Sequence, residues 1–399
     1  MKLTAIILLP SFIILLFFEY CAYQYFKANH TSSNKDLSFF YQSQKPSLAG
    51  RSKYLKKRSL YFTYHPILGV KFRPNSLVYG LSPDASGSPY FDERSALIID
   101  KNGFVANENI FNQKDIKRAK QINIIITGGS TVSGWGATQN KKTWPARLEK
   151  KLNDLAEVQN KPYYFKIKNA GVFGYSISQE LLYYLHDLRY HPIDTIISFN
   201  GINEKWKFED TPQNYFLSYH HRNLIKALNK GNSSNTTGLL PNVRRAMKHL
   251  FVRQKDNQIT HENVDHLRGD QLYLRQINTY AKIVLSDDIK FLHILQPTMG
   301  FCDKRLTDNE KKLQNFFGNP FYRNSWDKWE SYIDELEPFY KRVTSQLKRP
   351  WHFNMSCLFK DEEKEVFHDP RHYNDYGQEI IANKVLTLLK ENSLKKYLQ

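Results

Sequence analysis

Gln121-Ile122-Asn123-Ile124-Ile125-Ile126-Thr127-Gly128-Gly129-Ser130 is the stretch of sequence that decides the fold. A short, β-branched apolar run of this kind is typical of a parallel strand that is buried on both faces. The run ends abruptly in two glycines. A helical pattern follows near Thr143-Trp144-Pro145, with an early proline and with Leu148 and Leu152 one turn apart. Strand, turn and helix in this order predict an α/β unit.

The same alternation continues along the chain. The patterns predict strands at Tyr163–Ile167, Thr195–Phe199 and Phe291–Leu295, turns at Asn169–Ser176 and Asn200–Asn203, and helices at Ile177–Leu188, Thr307–Phe316, Trp326–Leu347 and from about Asp375 to Lys390. Such repetition is typical of a doubly wound α/β sheet. Functional residues of these sheets collect at the carboxyl ends of the strands, where the predicted turns lie.

Four regions are predicted along the chain. Residues 1–27 are largely apolar with a Tyr-rich flank and no small-residue cleavage site, so we expect an uncleaved transmembrane signal anchor, with a cleaved signal peptide as the alternative. Residues 28–58 are polar and predict a flexible tether. Residues 59–120 predict a strand-and-loop lead-in packed on the main domain. Residues 121–399 form that domain, with a basic helical insertion at about 205–266.

The chain of 399 residues carries 57 Lys and Arg against 39 Asp and Glu, a net charge of +18. That surface should attract anionic membranes, acidic glycans or nucleic acid. Zinc-finger spacing, aromatic RNA-binding motifs and heptad-bearing basic regions are absent from the sequence, so we expect no nucleic-acid partner and interpret the charge as a basic solvated surface. The three cysteines lack metal-ligand spacing. Cys302 and Cys357 form either one bridge or two separate buried thiols, since Cys21 lies in the apolar N-terminal stretch.

Ser130 is the candidate nucleophile, because two glycines after a buried strand permit the sharp turn that exposes a serine near a helix start. Asp369 and His372 are three residues apart on a Pro-containing turn, a spacing that can place a carboxylate against one imidazole nitrogen. Each pattern alone also fits an ordinary turn or a helix cap. His368 is a competing imidazole, which we interpret as structural.

Two further turns offer hydrogen-bond donors at strand ends. Gly174 lies in Asn169–Ser176 and offers a backbone N–H, and Asn203 ends Asn200-Gly201-Ile202-Asn203 with a neutral side-chain amide. Their alternative interpretations are a strand-to-helix connection and a helix N-cap.

Together these blocks resemble the SGNH hydrolases, also called the GDSL esterase family, and in particular membrane-tethered bacterial members. The resemblance spans roughly residues 121–389. It implies a three-layer, flavodoxin-like fold with a central parallel sheet. It also implies that Ser130 is the nucleophile, that His372 is the base oriented by Asp369, and that the oxyanion hole consists of the Ser130 N–H, the Gly174 N–H and the Asn203 amide. Two residues depart from the family pattern: Gly129 replaces an Asp, and Glu204 replaces a supporting Asp.

The resemblance implies a serine hydrolase acting on an ester, with O-acetyl groups on a carbohydrate as the expected substrate. Polysaccharide O-acetyl transfer, a lipase or phospholipase activity, and a non-catalytic glycan-binding module are the alternatives. We expect no cofactor and no metal, because the serine supplies the nucleophile and the donors stabilise the charge. The anchor predicts a single-pass membrane protein of a bacterial envelope with an extracytoplasmic catalytic domain. The oligomeric state is left open.

Overall fold

The computed structural model describes residues 61–83, 89–109, 120–205, 268–314 and 329–398. The predicted anchor, the predicted tether and, beyond residue 205, the predicted helical insertion lie outside these ranges.

The predicted membrane localisation is contradicted. Within the ranges above, no helix combines the length and the apolar character that a bilayer span requires. The two longest described helices, Gly269–Ser286 and Trp329–Gln346, have 18 residues each, but both carry charged side chains along their length. The prediction of a single-pass membrane protein with an extracytoplasmic domain is therefore corrected, and residues 1–27, from which it came, are not among those described.

The centre of the molecule is a parallel sheet of five strands. In chain order these are β5 (Lys120–Gly128), β6 (Tyr163–Gly171), β7 (Thr195–Asn200), β8 (Lys290–Leu295) and β9 (His352–Asn354). Their order across the sheet is β6-β5-β7-β8-β9, and every neighbouring pair is parallel. This is the flavodoxin-like order, whose direction of winding reverses between β5 and β7. The predicted α/β class with a central parallel sheet is confirmed.

Helices cover both faces of the sheet. They are α1 (Ser130–Ser133), α2 (Trp144–Val158), α3 (Ile177–His186), α4 (Ile202–Glu204), α5 (Gly269–Ser286), α6 (Asp308–Gln314), α7 (Trp329–Gln346), α8 (Asp375–Glu391) and α9 (Lys395–Leu398). Helices α2 and α8 pack together on one face, while α5 packs against α3 and α7 on the other. The result is three layers.

The alternation of side chains along the strands explains why both faces must be covered. Ile122, Ile124 and Ile126 of β5 are completely buried in one cluster with residues of α2 and α8. Ile125 is equally buried but points to the opposite face, because successive residues of a strand alternate. On that second face Phe291 of β8 meets the ring of Tyr280 of α5 at 5.0 Å.

The residues before β5 form two antiparallel hairpins. The first pairs β1 (Phe62–His65) with β2 (Gly69–Phe72), and the second pairs β3 (Leu77–Pro83) with β4 (Pro89–Ile98). The chain after β4 then joins the sheet edge, where the Val105 N–H donates to the Asn169 carbonyl at 3.1 Å. The buried Asn140 amide bonds to Ile98 and Ala106. These contacts attach the lead-in to the sheet.

Within the central sheet, strands β6 and β9 differ from the sequence-based predictions. Strand β6 continues to Gly171, because it pairs with β5 as far as Gly128, so the predicted turn begins later than Asn169. Strand β9 was not predicted. It has three residues, and its pairing with β8 defines it, rather than a pattern of its own.

Candidate active site

Ser130 is the first residue of α1, and only Gly129 separates it from the end of β5. Its position depends on Gly128, where an added Cβ would collide with the Val132 side chain and the Phe199 carbonyl oxygen. The strand can therefore turn sharply into the helix only with glycine at this position. The Ser130 Oγ lies 2.6 Å from Nε2 of His372.

His372 and Asp369 lie on the loop before α8, which the Phe367–Tyr373 bridge closes. The His372 Nδ1 is 2.7 Å from Oδ2 of Asp369. The other carboxylate oxygen of Asp369 accepts the backbone N–H groups of Arg371 and His372, at 2.9 and 3.0 Å. The carboxylate is thus fixed by its own loop before it orients the imidazole.

The protonation of this loop follows from the burial and the partners of Asp369, which is only 2% exposed. Burial alone would raise the pKa of its carboxyl group, but the charge and hydrogen bond of His372, with a smaller contribution from His368, hold the pKa well below its usual range. An ionised carboxylate only accepts hydrogen bonds, so Nδ1 of His372 carries the proton. Nε2 is then the acceptor for the Ser130 hydroxyl.

The Asn203 amide lies beside Ser130. Its Nδ2 donates to the Tyr175 carbonyl at 2.7 Å. A Cβ added at Gly129 would collide with this same nitrogen and would lie 3.2 Å from the Tyr175 oxygen. The absence of a side chain at residue 129 therefore lets the amide approach the backbone next to Ser130.

Gly174 lies in the turn between β6 and α3. The Tyr175 N–H donates to the Val172 carbonyl at 3.0 Å, and Gly174 has φ +75°, as the third residue of a type II turn does. An added Cβ at Gly174 would meet nothing within 4 Å, so this side of the residue is open. Since Tyr175 also holds Asn203, the two predicted oxyanion donors belong to connected loops.

Glu204, the second departure from the family pattern, connects the same two loops. Its carboxylate accepts the Ile177 N–H at 2.7 Å through one oxygen and the Gly201 N–H at 2.7 Å through the other. Ile177 follows the Gly174 turn, and Gly201 lies two residues before Asn203. Both carboxylate oxygens of Glu204 are therefore hydrogen-bonded, and they hold the Gly174 loop and the Asn203 loop together.

A third buried carboxylate, Glu180, connects the ends of two strands near the site. Its oxygens accept from Thr127, Ser198 and Asn200 at 2.7, 2.6 and 3.0 Å. Burial, followed by the nearby charge of Glu204, raises the pKa of Glu180 to about 7. Thr127 lies three residues before Ser130 and Asn200 lies three residues before Asn203, so this cluster connects the ends of β5 and β7.

The polar cluster extends from Asn200 towards β9. The Asn200 side-chain oxygen accepts from the Tyr273 hydroxyl and lies 2.9 Å from Nε2 of His293. The Nδ1 of His293 is 2.6 Å from Nδ1 of His352. Burial lowers the pKa of both imidazoles, that of His352 to about 4. Neutral imidazoles can share one proton across this contact, which helps hold the short β9.

Sequence reasoning overlooked Glu180, Glu204 as a connecting group, and Trp135. The ring of Trp135 lies 5.6 Å from the His372 ring and 4.5 Å from the Phe173 ring, measured between centroids, and its residue is 8% exposed. Glu180 follows Ser178 and Gln179 in the first turn of α3, so the sequence carries no signal that its carboxylate is buried. For Trp135, the sequence carries no signal of a place at the site except that it lies close to Ser130 along the chain.

Cys302 and Cys357, whose pairing the sequence left open, form a disulfide with 5.2 Å between their Cα atoms. The bond joins the loop after β8 to the turn after β9. The β8 loop also contacts the catalytic turn, since the Met299 N–H donates to the Pro370 carbonyl at 3.1 Å. The bridge therefore stabilises a loop that supports Asp369.

The protein is therefore an α/β protein in which a serine, an imidazole and a buried carboxylate are joined by hydrogen bonds. They lie at the carboxyl ends of the strands, where the direction of winding reverses. This is the arrangement that serine hydrolases use for acyl transfer.

Comparisons with known proteins give structural neighbours only. No protein-family model matches the sequence, and no curated protein matches it. Among solved structures, the chain is similar to the acetyl xylan esterase AlAXEase, with 14% identity, a TM-score of 0.35, and 67% of this chain and 100% of that one covered. It is also similar to a member of the lipolytic protein G-D-S-L family from Veillonella parvula, with 12% identity, a TM-score of 0.37, and coverages of 67% and 98%.

A third similar structure is a two-domain esterase active on acetylated mannans, with 13% identity, a TM-score of 0.33, and 70% of this chain and 51% of that one covered. At such identities and TM-scores the neighbours assign no activity to this chain.

Proposed function

We propose that this chain is a serine esterase of the SGNH type, and that its substrate is an O-acetyl group on a carbohydrate. The observation that carries this proposal is the continuous hydrogen-bonded path from Ser130 Oγ to His372 Nε2, at 2.6 Å, and from His372 Nδ1 to Asp369, at 2.7 Å. Such distances support proton transfer from a serine nucleophile to a histidine base that a carboxylate orients.

In the first half of the reaction, the Ser130 oxygen attacks the acyl carbon while its proton passes to Nε2 of His372. The imidazolium that forms is stabilised by the Asp369 carboxylate, which stays ionised because its pKa is held low. The carbonyl oxygen becomes an oxyanion. Its proposed donors are the backbone N–H groups of Ser130 and Gly174 and the second hydrogen of the Asn203 amide, since the bond to Tyr175 uses only one.

The tetrahedral intermediate then collapses, and the bond from the acyl carbon to the leaving oxygen breaks. His372 returns its proton to that oxygen, so the alcohol leaves neutral and the acyl group stays on Ser130. In the second half, water attacks the acyl carbon and gives a proton to His372. The bond from the acyl carbon to the Ser130 oxygen then breaks, and His372 returns that proton to the serine oxygen, so that the acid leaves and the enzyme is restored. A sugar hydroxyl in place of that water would give acyl transfer by the same steps.

Ser130→Ala tests the proposal directly. We expect hydrolysis of p-nitrophenyl acetate and acetylated xylan by the full chain to fall at least 10³-fold, and covalent labelling by a fluorophosphonate to be lost. Ser286→Ala is the matched control, because Ser286 is an exposed residue at the end of α5. Unchanged turnover or unchanged labelling in Ser130→Ala would refute the assignment of the nucleophile.

Longer acyl esters and added oligosaccharides complete the substrate panel. We expect short acyl esters to be preferred, and free acetate to be the product even when an oligosaccharide acceptor is present. Mass spectrometry of the acceptor measures this. Quantitative appearance of an acetylated acceptor would show transfer instead of hydrolysis and would contradict the esterase assignment.

A further inference from the structure

The Gly174 turn needs support from outside the sheet. A donor contributes to oxyanion stabilisation only when it is held within about 0.5 Å of its productive position. The turn is short: Gly174 has a φ of +75°, and the Tyr175 N–H donates to the Val172 carbonyl across it. The two side chains that flank Gly174 in sequence, Phe173 and Tyr175, show where the support comes from.

Phe173 is held by the β1–β2 hairpin through aromatic contacts. Its ring packs edge-on against Phe72 at 5.2 Å and against Phe62 at 6.2 Å, with interplanar angles of 87° in both pairs. Phe62 and Phe72 stack on each other at 5.4 Å across the two strands. Phe173 is 3% exposed and Phe72 is 1% exposed, so the contact excludes water.

Tyr175 is held by the same hairpin through its hydroxyl. The Tyr175 O–H donates to the Val70 carbonyl of β2 at 2.6 Å, and the residue is 1% exposed. Its own carbonyl accepts from Asn203 at 2.7 Å. Tyr175 thus connects three parts of the chain: the hairpin, the Gly174 turn and the Asn203 loop.

The two anchors lie on either side of the glycine. Phe173 precedes Gly174 and Tyr175 follows it, and both are fixed to residues 62–72. If only one of these two neighbours were held, the Gly174 peptide could rotate about the held residue. With both neighbours held, the Gly174 peptide has little freedom to rotate.

We infer that the β1–β2 hairpin is a positioning element of the active site, which holds the Gly174 turn and, through Tyr175, the Asn203 amide in the geometry needed to stabilise the oxyanion. This inference rests on the proposed function. It assigns a positioning role to residues 62–72, which precede the first sequence block of the site, Gly128–Ser130.

Tyr175→Phe is the test, because it removes the hydroxyl and leaves the ring. We expect kcat for an oxygen ester to fall about 3- to 10-fold, as the loss of one buried hydrogen bond allows, with KM within about twofold. A thionoester provides the specific readout. Its sulfur is a weak hydrogen-bond acceptor, so its turnover depends little on the oxyanion donors. The ratio of oxygen-ester to thionoester rates should therefore fall in Tyr175→Phe.

Tyr184→Phe is the matched control. Tyr184 is also fully buried, and its hydroxyl donates to Asp287, the residue that follows α5, and not to the hairpin. We expect this change to leave the rate ratio at its wild-type value. Phe72→Leu, which weakens the other anchor while keeping an apolar side chain, should lower the ratio as Tyr175→Phe does.

The outcomes separate this inference from the proposed function. If the wild-type chain hydrolyses the ester in a Ser130-dependent way and Tyr175→Phe keeps both kcat and the rate ratio, the hairpin has no positioning role. Equal losses for both esters would also overturn the inference, since they would mean a general loss of active protein. If the wild-type chain shows no Ser130-dependent hydrolysis, the proposed function itself fails.

Discussion

Because of the buried carboxyl group of Glu180, the free energy of unfolding of this protein should fall as pH rises, whereas most carboxyl groups have the opposite effect. Its pKa in the folded chain is about 7, against an ordinary 4.5, because burial and the Glu204 charge disfavour ionisation. The folded state therefore binds this proton more tightly than the unfolded state does. The resulting stabilisation is complete below about pH 4.5 and is lost as pH rises through about 7.

The size of the effect follows from the difference between the two pKa values. At about 1.4 kcal/mol for each pKa unit, full ionisation of Glu180 lowers the free energy of unfolding by about 3 kcal/mol. Between about pH 5 and pH 8 the loss is about 2 to 3 kcal/mol, because a small part of it has already occurred at the lower pH.

Glu180→Gln isolates this contribution. The wild-type curve alone would not, since His293 and His352 have lowered pKa values and their contribution to stability grows as pH rises through the same window. Both histidines are present in wild type and in Glu180→Gln, so their contributions cancel when the two free energies of unfolding are subtracted. The altered hydrogen bonds to Thr127 and Asn200 add an offset that does not vary with pH.

The assay is urea unfolding of both proteins at several pH values, followed by tryptophan fluorescence. We expect the stability of Glu180→Gln relative to wild type to increase by about 2 to 3 kcal/mol from about pH 5 to pH 8. Glu157→Gln, an exposed change on α2, is the control and should give a flat difference. A flat difference for Glu180→Gln as well would refute the reasoning that its burial and its neighbour oppose ionisation.

Three further outcomes are expected. Gly129→Ala should lower kcat about 10²- to 10³-fold, because the new methyl displaces the Asn203 amide; steady-state kinetics with near wild-type values would contradict that packing. Asp369→Asn should lower kcat about 10³- to 10⁴-fold with an unchanged circular dichroism spectrum, since the imidazole loses its orienting acceptor, and activity within tenfold of wild type would exclude this role. Cys302→Ser should cost about 4 kcal/mol in urea unfolding, because the bond to Cys357 closes a separation of 55 residues; reductant-insensitive wild-type stability would argue against the bridge.

The central sheet could be predicted because its strands carry their own signal. Ile122 to Ile126 are apolar whatever surrounds them, and only a strand covered on both faces explains such a run. The catalytic loop could be predicted for a different reason. Ser130 and His372 are 242 residues apart, but each lies at a turn whose place in the alternation of strands and helices was already fixed. The topology then brings them together.

Other features could not be predicted, because their cause is not local. Strand β9 has only three residues, and its place beside β8 depends on a partner strand and on the His293–His352 contact. Glu180 lies in a helix with ordinary amphipathic spacing, and only the assembled sheet shows that its carboxylate meets the ends of β5 and β7. The membrane prediction was wrong for the described chain, since it rested on the composition of one terminal stretch alone.

The division between the lead-in and the main domain shows the same limit of local patterns. Strand periodicity begins again at residue 120, so a boundary there is a reasonable prediction. The hydrogen bonds cross it, from Tyr175 to Val70 and from Val105 to Asn169. Phenylalanines in a hairpin predict only apolar packing. What they pack against decides whether they stabilise the fold alone or also hold a catalytic turn, and here Phe72 meets the residue next to Gly174.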